Sequence, residues 1–173
     1  MKRLLVGLVI AASMVIGMGT AYATTPSVTS AATSTDVTYH QMFQQGNTAK
    51  CLYTGNTTPG THVSYVTCSG GPLNTEWSWT VVPGEPLWYV IENHNGTCLT
   101  DPGSGGQGTS IETGVCVSGN LSQEWEPSRS SNDDGNNWVN IGGGLCLDGG
   151  NNLIREWTCN DSVVQDWNGP APL

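Results

Sequence analysis

The chain has 173 residues with 14 acidic against 5 basic side chains, a formal charge of −9, 23 glycines and 6 cysteines. Two of the five basic residues, Lys2 and Arg3, sit at the extreme N-terminus, so everything after residue 23 carries three bases, Lys50, Arg129 and Arg155, against all 14 acids, a net charge near −11. That balance excludes phosphate-rich partners, since nucleic acids and anionic membranes need clustered Lys and Arg, and the scattered acids read as a solubilising surface.

Residues 1–23 have the pattern of an export signal. Lys2-Arg3 is a positive head, Leu4 to Met18 an apolar run, and Ala21-Tyr22-Ala23 a small-x-small cleavage site. The run is short and glycine-containing for a membrane anchor, and no later stretch is apolar enough to span a bilayer, so membrane insertion is not expected. Cleavage after Ala23 leaves 150 residues, enough for one domain, and the protein is expected to be secreted, extracellular and monomeric. Residues 24–37 are Ser, Thr and Ala-rich with nothing to fill a core, and predict a disordered leader.

From Thr38 to the end, short runs of β-formers alternate with turn residues. Val63-Ser64-Tyr65-Val66, Trp79 to Val82, Leu87 to Ile91, Ile111 to Val117, Trp138 to Ile141 and Leu153 to Thr158 read as strands. Pro59-Gly60, Pro83-Gly84, Asn95-Gly96, Pro102-Gly103, Asp134-Gly135 and Asp148-Gly149 punctuate them. No window shows a helical stripe, and the glycine content opposes helix. The class is all-β.

A long repeat underlies these strands. Cys51, Cys98 and Cys146 are 47 and 48 residues apart; Cys68 and Cys116 are 48 apart, as are Trp77 and Trp125. The third copy is shorter, with Cys159 following Cys116 by 43 and Trp167 following Trp125 by 42. A period of this length means a repeated supersecondary unit, and three copies are too few for a propeller.

The even cysteine count in an exported segment favours disulfides over zinc, because the within-copy spacings of 17, 18 and 13 contain no close metal-binding pair. Within-copy and between-copy pairings are both symmetric on paper. Trp77, Trp125 and Trp167 end each copy and are expected in the core.

The frame resembles that of the ricin B-chain type lectins, also described as family-13 carbohydrate-binding modules. Cys51-Leu52, Gly60-Thr61, Cys68 and Trp77 carry it in the first copy, and Cys98-Leu99, Gly108-Thr109, Cys116 and Gln123-Glu124-Trp125 in the second. The third has Cys146-Leu147-Asp148, Trp157, Cys159 and Gln165-Asp166-Trp167. The resemblance implies a β-trefoil: a six-stranded barrel capped by three hairpins, with one disulfide per repeat, Cys51–Cys68, Cys98–Cys116 and Cys146–Cys159.

It also implies a sugar site. A neutral sugar offers adjacent hydroxyls and an apolar ring face, which an acid and an aromatic ring recognise. The family places these at the Asp of Cys-Leu-Asp and two residues before the second cysteine, here Asp148 and Trp157, with Gln165 and Arg155 as further polar contacts. Copy two has Thr100 and Gly114 instead; copy one has Tyr53 and Val66, with Thr75 in place of the glutamine. Copy three also has Val164 where the family has Asn. The expected function is therefore non-catalytic binding of a galactose- or xylose-type sugar through copy three. The alternative is a trefoil scaffold that binds or inhibits a secreted protease or hydrolase.

No catalytic signature is present, and no pair among the 14 acids stands out for glycoside hydrolysis. No cofactor or metal is expected. His40, His62 and His94 fall at unrelated points of the repeat, and Asn132 to Asn136 lacks the spaced ligands of a calcium loop. Asn56, Asn95, Asn120 and Asn160 begin glycosylation sequons.

Overall fold

A computed structural model describes residues 37–44, 47–68, 73–103, 106–129 and 135–169. The chain divides into two units, 1–35 and 36–173, and the described residues belong to the second. The expected signal segment, the leader apart from Val37, and most of the Asn132–Asn136 stretch lie outside them. Among the described residues no helix is long and apolar enough to cross a membrane.

The described residues form thirteen strands in three groups. The first holds β1 (His40–Gln41), β2 (Phe43–Gln44), β3 (Asn47–Thr54), β4 (Thr61–Thr67) and β5 (Glu76–Val82). The second holds β6 (Glu85–Asn93), β7 (Thr97–Thr100), β8 (Glu112–Val115) and β9 (Glu124–Arg129). The third holds β10 (Asn136–Asn140), β11 (Cys146–Asp148), β12 (Arg155–Trp157) and β13 (Asp166–Trp167).

The pairing closes on itself. β1 pairs with β5, β5 with β6, β6 with β9, β9 with β10, β10 with β13, and β13 with β2, which continues β1 after a one-residue break. This ring is a six-stranded barrel and leaves no open edge. β3·β4, β7·β8 and β11·β12 are the three antiparallel hairpins. Neighbouring hairpins join where Thr61 pairs with Thr113 and where Ser110 bridges Arg155. The fold is a β-trefoil, and each strand expected from the sequence overlaps an observed one.

Threefold symmetry extends to single bonds. The Trp77, Trp125 and Trp167 indoles are fully buried, and each Nε1 donates to the carbonyl one residue after the repeat's first cysteine: Leu52 at 3.1 Å, Leu99 at 3.1 Å and Leu147 at 3.0 Å. Each indole thus fills the core and satisfies a buried carbonyl. Trp138, which the repeat does not mark, is equally buried and packs edge-on against Tyr89.

The disulfides close within repeats, Cys51–Cys68, Cys98–Cys116 and Cys146–Cys159, with Cα atoms 5.0, 5.1 and 5.1 Å apart. The register explains it: Cys51, Cys98 and Cys146 face Val66, Gly114 and Trp157 across the hairpin, two residues short of the partner cysteine. Each bridge stabilises by roughly 3 kcal/mol in the chain-entropy account.

The glutamines of Gln-x-Trp tie down the turn after the second cysteine. Gln123 accepts from the Val117 N–H at 2.8 Å and donates to the Val115 carbonyl at 2.8 Å; Gln165 accepts from Asn160 N–H at 3.0 Å and donates to Thr158 at 3.0 Å. Repeat one has Thr75 there. Gln41, from β1, compensates by donating to the Cys68 carbonyl at 3.1 Å and weakly to Thr75 Oγ1 at 3.4 Å. Gln41→Leu should therefore destabilise by about 1–2 kcal/mol, seen as a lower urea midpoint at unchanged slope.

Candidate functional site

The β11·β12 hairpin sets the geometry of the third repeat. Asp148 lies directly opposite Arg155, Leu147 opposite Glu156, and Cys146 opposite Trp157. Side chains alternate faces along a strand, so Asp148, Arg155 and Trp157 share one face while Leu147 and Glu156 point into the core. Leu147 and Glu156 are both fully buried.

Asp148 organises the cluster. Its Oδ1 accepts from the Gly150 N–H at 2.8 Å, closing a turn, and from Arg155 Nε at 3.0 Å. Its Oδ2 accepts from Gln165 Nε2 at 3.1 Å. Asn151 follows at φ 56°, a left-handed conformation that asparagine tolerates, so the chain reverses in a few residues. The Arg155 guanidinium then lies over the Trp157 ring, 4.0 Å from its centroid. Trp157 reaches repeat two: a Cβ on Gly108 would stand 3.5 Å from its ring, and Gly108 holds φ 94°. The Gly-Thr turn of one repeat thus supports the aromatic of the next.

All four residues expected at a sugar site come together, in roles that differ from one another. Gln165 is fully buried and orients Asp148. The Asp148 side chain is only 3% exposed, against 15% for Arg155. Trp157 is half-buried. The surface of the cluster is therefore a guanidinium on an indole, with the carboxylate beneath.

Among the described residues, repeats one and two offer no such cluster. Thr100 Oγ1 accepts from Gln123 Nε2 at 3.0 Å, filling the place of the acid–amide pair. A Cβ on Gly114 would come within 2.6 Å of Thr100 Oγ1 and 2.9 Å of Gln123 Nε2, so no aromatic fits there without displacing both. In repeat one the Tyr65 ring stacks on Trp167 and its hydroxyl donates to the Gly149 carbonyl at 2.7 Å. Burial, then the nearby Asp148 charge, raises the Tyr65 pKa well above the usual phenol range.

Sequence reasoning missed a second acid group. Asp101 and Glu156 are buried together, at 4% and 0% exposure, where repeat two meets repeat three. Their oxygens crowd Gly143, whose absent Cβ would stand 3.4 Å from Asp101 Oδ2 and 3.4 and 3.5 Å from the Glu156 oxygens. Asp101 Oδ1 accepts from the Gly103 N–H at 2.9 Å, whereas neither Glu156 oxygen receives a hydrogen bond from an N–H or hydroxyl. Burial, then the charge of Asp101 and a carboxyl–carboxylate bond to it, raise the Glu156 pKa to about 7. The repeat arithmetic carried the signal: Asp101 is three residues after its first cysteine, as are Thr54 and Gly149, and Glu156 is three before its second, as are Tyr65 and Thr113.

The histidines stand apart. His62 faces Glu112 at 3.5 Å, His94 faces Glu76 at 3.8 Å, and His40 stacks on Trp79. Glu92, Cys98 and Cys116 lie close together, but both sulfurs are spent in a disulfide and offer no thiolate to a metal. A shallow, mainly apolar groove of about 160 Å³, lined by Val81, Val82, Pro83, Val90, Val117 and Glu124 among others, shares no residue with the third-repeat cluster.

The sequence profile described as the ricin-type beta-trefoil lectin domain matches residues 19–125, more than half of the chain. A search of the curated proteins finds no match. Among solved structures, a designed threefold-symmetric protein, ThreeFoil, is similar at TM-score 0.66 and 23% identity, over 75% of this chain and 96% of its own. A Polyporus squamosus lectin, described as bound to a human-type influenza-binding epitope, superposes at TM-score 0.66 and 20% identity, over 76% of this chain and 48% of its own. An exo-beta-1,3-galactanase from Clostridium thermocellum does so at 0.65 and 18%, over 78% of this chain and 30% of its own. At these identities the likeness is one of fold, and this chain spans less than half of the latter two proteins.

Proposed function

The chain belongs to the ricin-type β-trefoil lectin family, and from that premise we propose that it is a secreted, non-catalytic protein that binds a galactose- or xylose-type sugar through its third repeat. The observation that carries this reading is the single connected cluster of Asp148, Arg155, Gln165 and Trp157. An acid and an aromatic share one hairpin face there, a buried amide from the segment that follows joins them, and neither other repeat assembles the three among its described residues.

The cluster is preorganised. Its carboxylate is fixed by three hydrogen bonds and its aromatic ring by a cation and a neighbouring repeat, so little ordering entropy remains to be lost on binding. A single shallow site of this kind matches a Kd on the order of 0.1–1 mM, about −4 to −5.5 kcal/mol. The non-catalytic reading is supported by an acid pair that the fold brings together among the described residues. Asp101 and Glu156 are sealed from solvent, so they cannot flank a glycosidic bond. The charged head, apolar run and cleavage pattern of residues 1–23 support export.

Calorimetric titration with galactose, xylose and their polymers tests the proposal. Asp148→Ala frees Arg155 and removes the acceptor that orders the cluster, and should weaken binding at least tenfold while the tryptophan fluorescence of the core stays native. Undiminished binding by this variant, or a wild type silent toward every sugar, would reject a third-repeat site.

A further inference from the structure

An approaching ligand meets the cation of the Asp148–Arg155 pair, because the Arg155 side chain is 15% exposed and the Asp148 side chain 3%. The polarity of the site is thereby reversed. A bare carboxylate accepts from sugar hydroxyls; a guanidinium donates, and seeks an acceptor.

The guanidinium is also held in one plane. Its Nε is spent on Asp148 Oδ1 at 3.0 Å, and its face rests on the Trp157 ring at 4.0 Å. Gly150 leaves room for it, since a Cβ there would stand 3.1 Å from Nη2 and 2.9 Å from Asp148 Oδ1. With Nε committed and one face covered, the Nη edge is the remaining polar surface. Two coplanar N–H groups on that edge match the two oxygens of a carboxylate, and such a charge-assisted bidentate contact is roughly twice as strong as a neutral one.

We propose that the third-repeat site selects saccharides bearing a carboxylate, a uronic acid over the neutral sugar of the same configuration, and that Arg155 is the residue that sets this preference. The proposal rests on the sugar-binding reading above. The overall charge of −9 opposes an anionic ligand, but charges beyond about 8–10 Å are largely screened at physiological salt, so the contact decides. Lys50 and Arg129 are the other basic residues beyond residue 23, which leaves few places for an acidic sugar to adsorb nonspecifically.

The test is a paired titration of the full protein with the methyl glycoside of galactose and the methyl glycoside of galacturonic acid, its carboxylate unesterified, which share their ring hydroxyls and differ at C6. The acid should bind at least tenfold tighter, and that margin should shrink severalfold between 50 and 500 mM NaCl, as roughly expected from the change in Debye length. Arg155→Gln should abolish the preference, and Arg155→Lys, which keeps the charge beside Asp148 without the fork, should reduce it. The ratio of two affinities in one variant does not depend on what fraction of the sample is folded, so destabilisation alone leaves it unmoved. Equal or tighter binding of the neutral galactoside overturns the uronate preference and leaves the lectin reading standing. A preference that survives both substitutions overturns the role of Arg155. No binding of either sugar by the wild type overturns the uronate preference, and silence toward the xylosides as well overturns the lectin reading.

Discussion

Glu156→Gln should stabilise the protein at pH 8 and change it little at pH 5. Glu156 has no exposed surface, and its oxygens receive no hydrogen bond from an N–H or hydroxyl. Its neighbour is the Asp101 carboxyl, and two acids so placed resist both being ionised. The folded-state pKa of about 7 stands above the 4.5 of an ordinary glutamic acid, first through burial and then through Asp101. The folded protein therefore holds a proton that the unfolded chain has released. Where the folded state binds more protons, stability falls as pH rises. The fall begins near pH 4.5, is complete above pH 7, and totals about 3 kcal/mol, from a shift of about 2.5 at 1.36 kcal/mol each.

Glutamine abolishes the titration. Its amide donates to Asp101 at every pH, as the shared proton does at low pH. Urea melts at pH 5 and 8 should show wild type losing about 2–3 kcal/mol between them, the rest of the change lying below pH 5, and Glu156→Gln remaining nearly flat. A wild type as stable at pH 8 as at pH 5 would place the pair in contact with water or with a fixed donor. Asp101→Asn, which removes the neighbouring charge, should flatten the profile part of the way.

The second large effect is steric. Gly149 has no left-handed backbone to excuse it, with φ −104°. It is glycine because Tyr65 arrives from repeat one. A Cβ there would lie 1.4 Å from the Tyr65 hydroxyl oxygen and 2.7 Å from the ring carbon that bears it. The ring cannot retreat, since it is stacked on Trp167 with centroids 6.0 Å apart. Gly149→Ala should therefore cost about 3 kcal/mol or more, at the upper end of overpacking effects. It should also disturb the cluster at Asp148, one residue away. Tyr65→Val opens the space, so adding it to Gly149→Ala should recover part of the loss, a coupling that a double-mutant cycle reads directly. Additive losses would mean that Gly149 answers to something other than Tyr65.

Both effects arise at junctions between repeats, and this is where sequence reading thinned out. Properties that act within a repeat were legible. Cysteine spacing and the terminal tryptophans showed the threefold repeat and three of the four fully buried indoles, and the resemblance that those residues carry implied the trefoil and its disulfide pairing, because each depends on partners at a fixed offset in one unit. The polar cluster of repeat three was legible for the same reason: Asp148, Arg155 and Trp157 lie on one hairpin and Gln165 follows it. What a residue meets in the neighbouring repeat was not legible, since no local pattern encodes it. Asp101 stands one place beyond the position that Asp148 holds in its repeat, just past β7, and only Glu156, 55 residues further on, shows why it is buried. Gln41 replaces the glutamine missing at position 75 from a strand outside the recognised frame. Nor does spacing tell which partner of an ion pair faces outward; that depends on the turn at Gly149-Gly150 pulling Asp148 under Arg155.

The pairing of β2 with β13 carries a consequence for assembly. The three sulfur bridges span 17, 18 and 13 residues, so each module has its partners at hand as soon as it leaves the ribosome. The barrel wall does not. Its first and last staves meet where Trp167 pairs with Gln44 and where the Asn168 N–H donates to the Phe43 carbonyl at 3.0 Å, so the wall cannot close before Trp167 and Asn168 have been made. The modules can be stapled one at a time, but the cylinder shuts in a single late act, and its tryptophan-lined interior stays open until then.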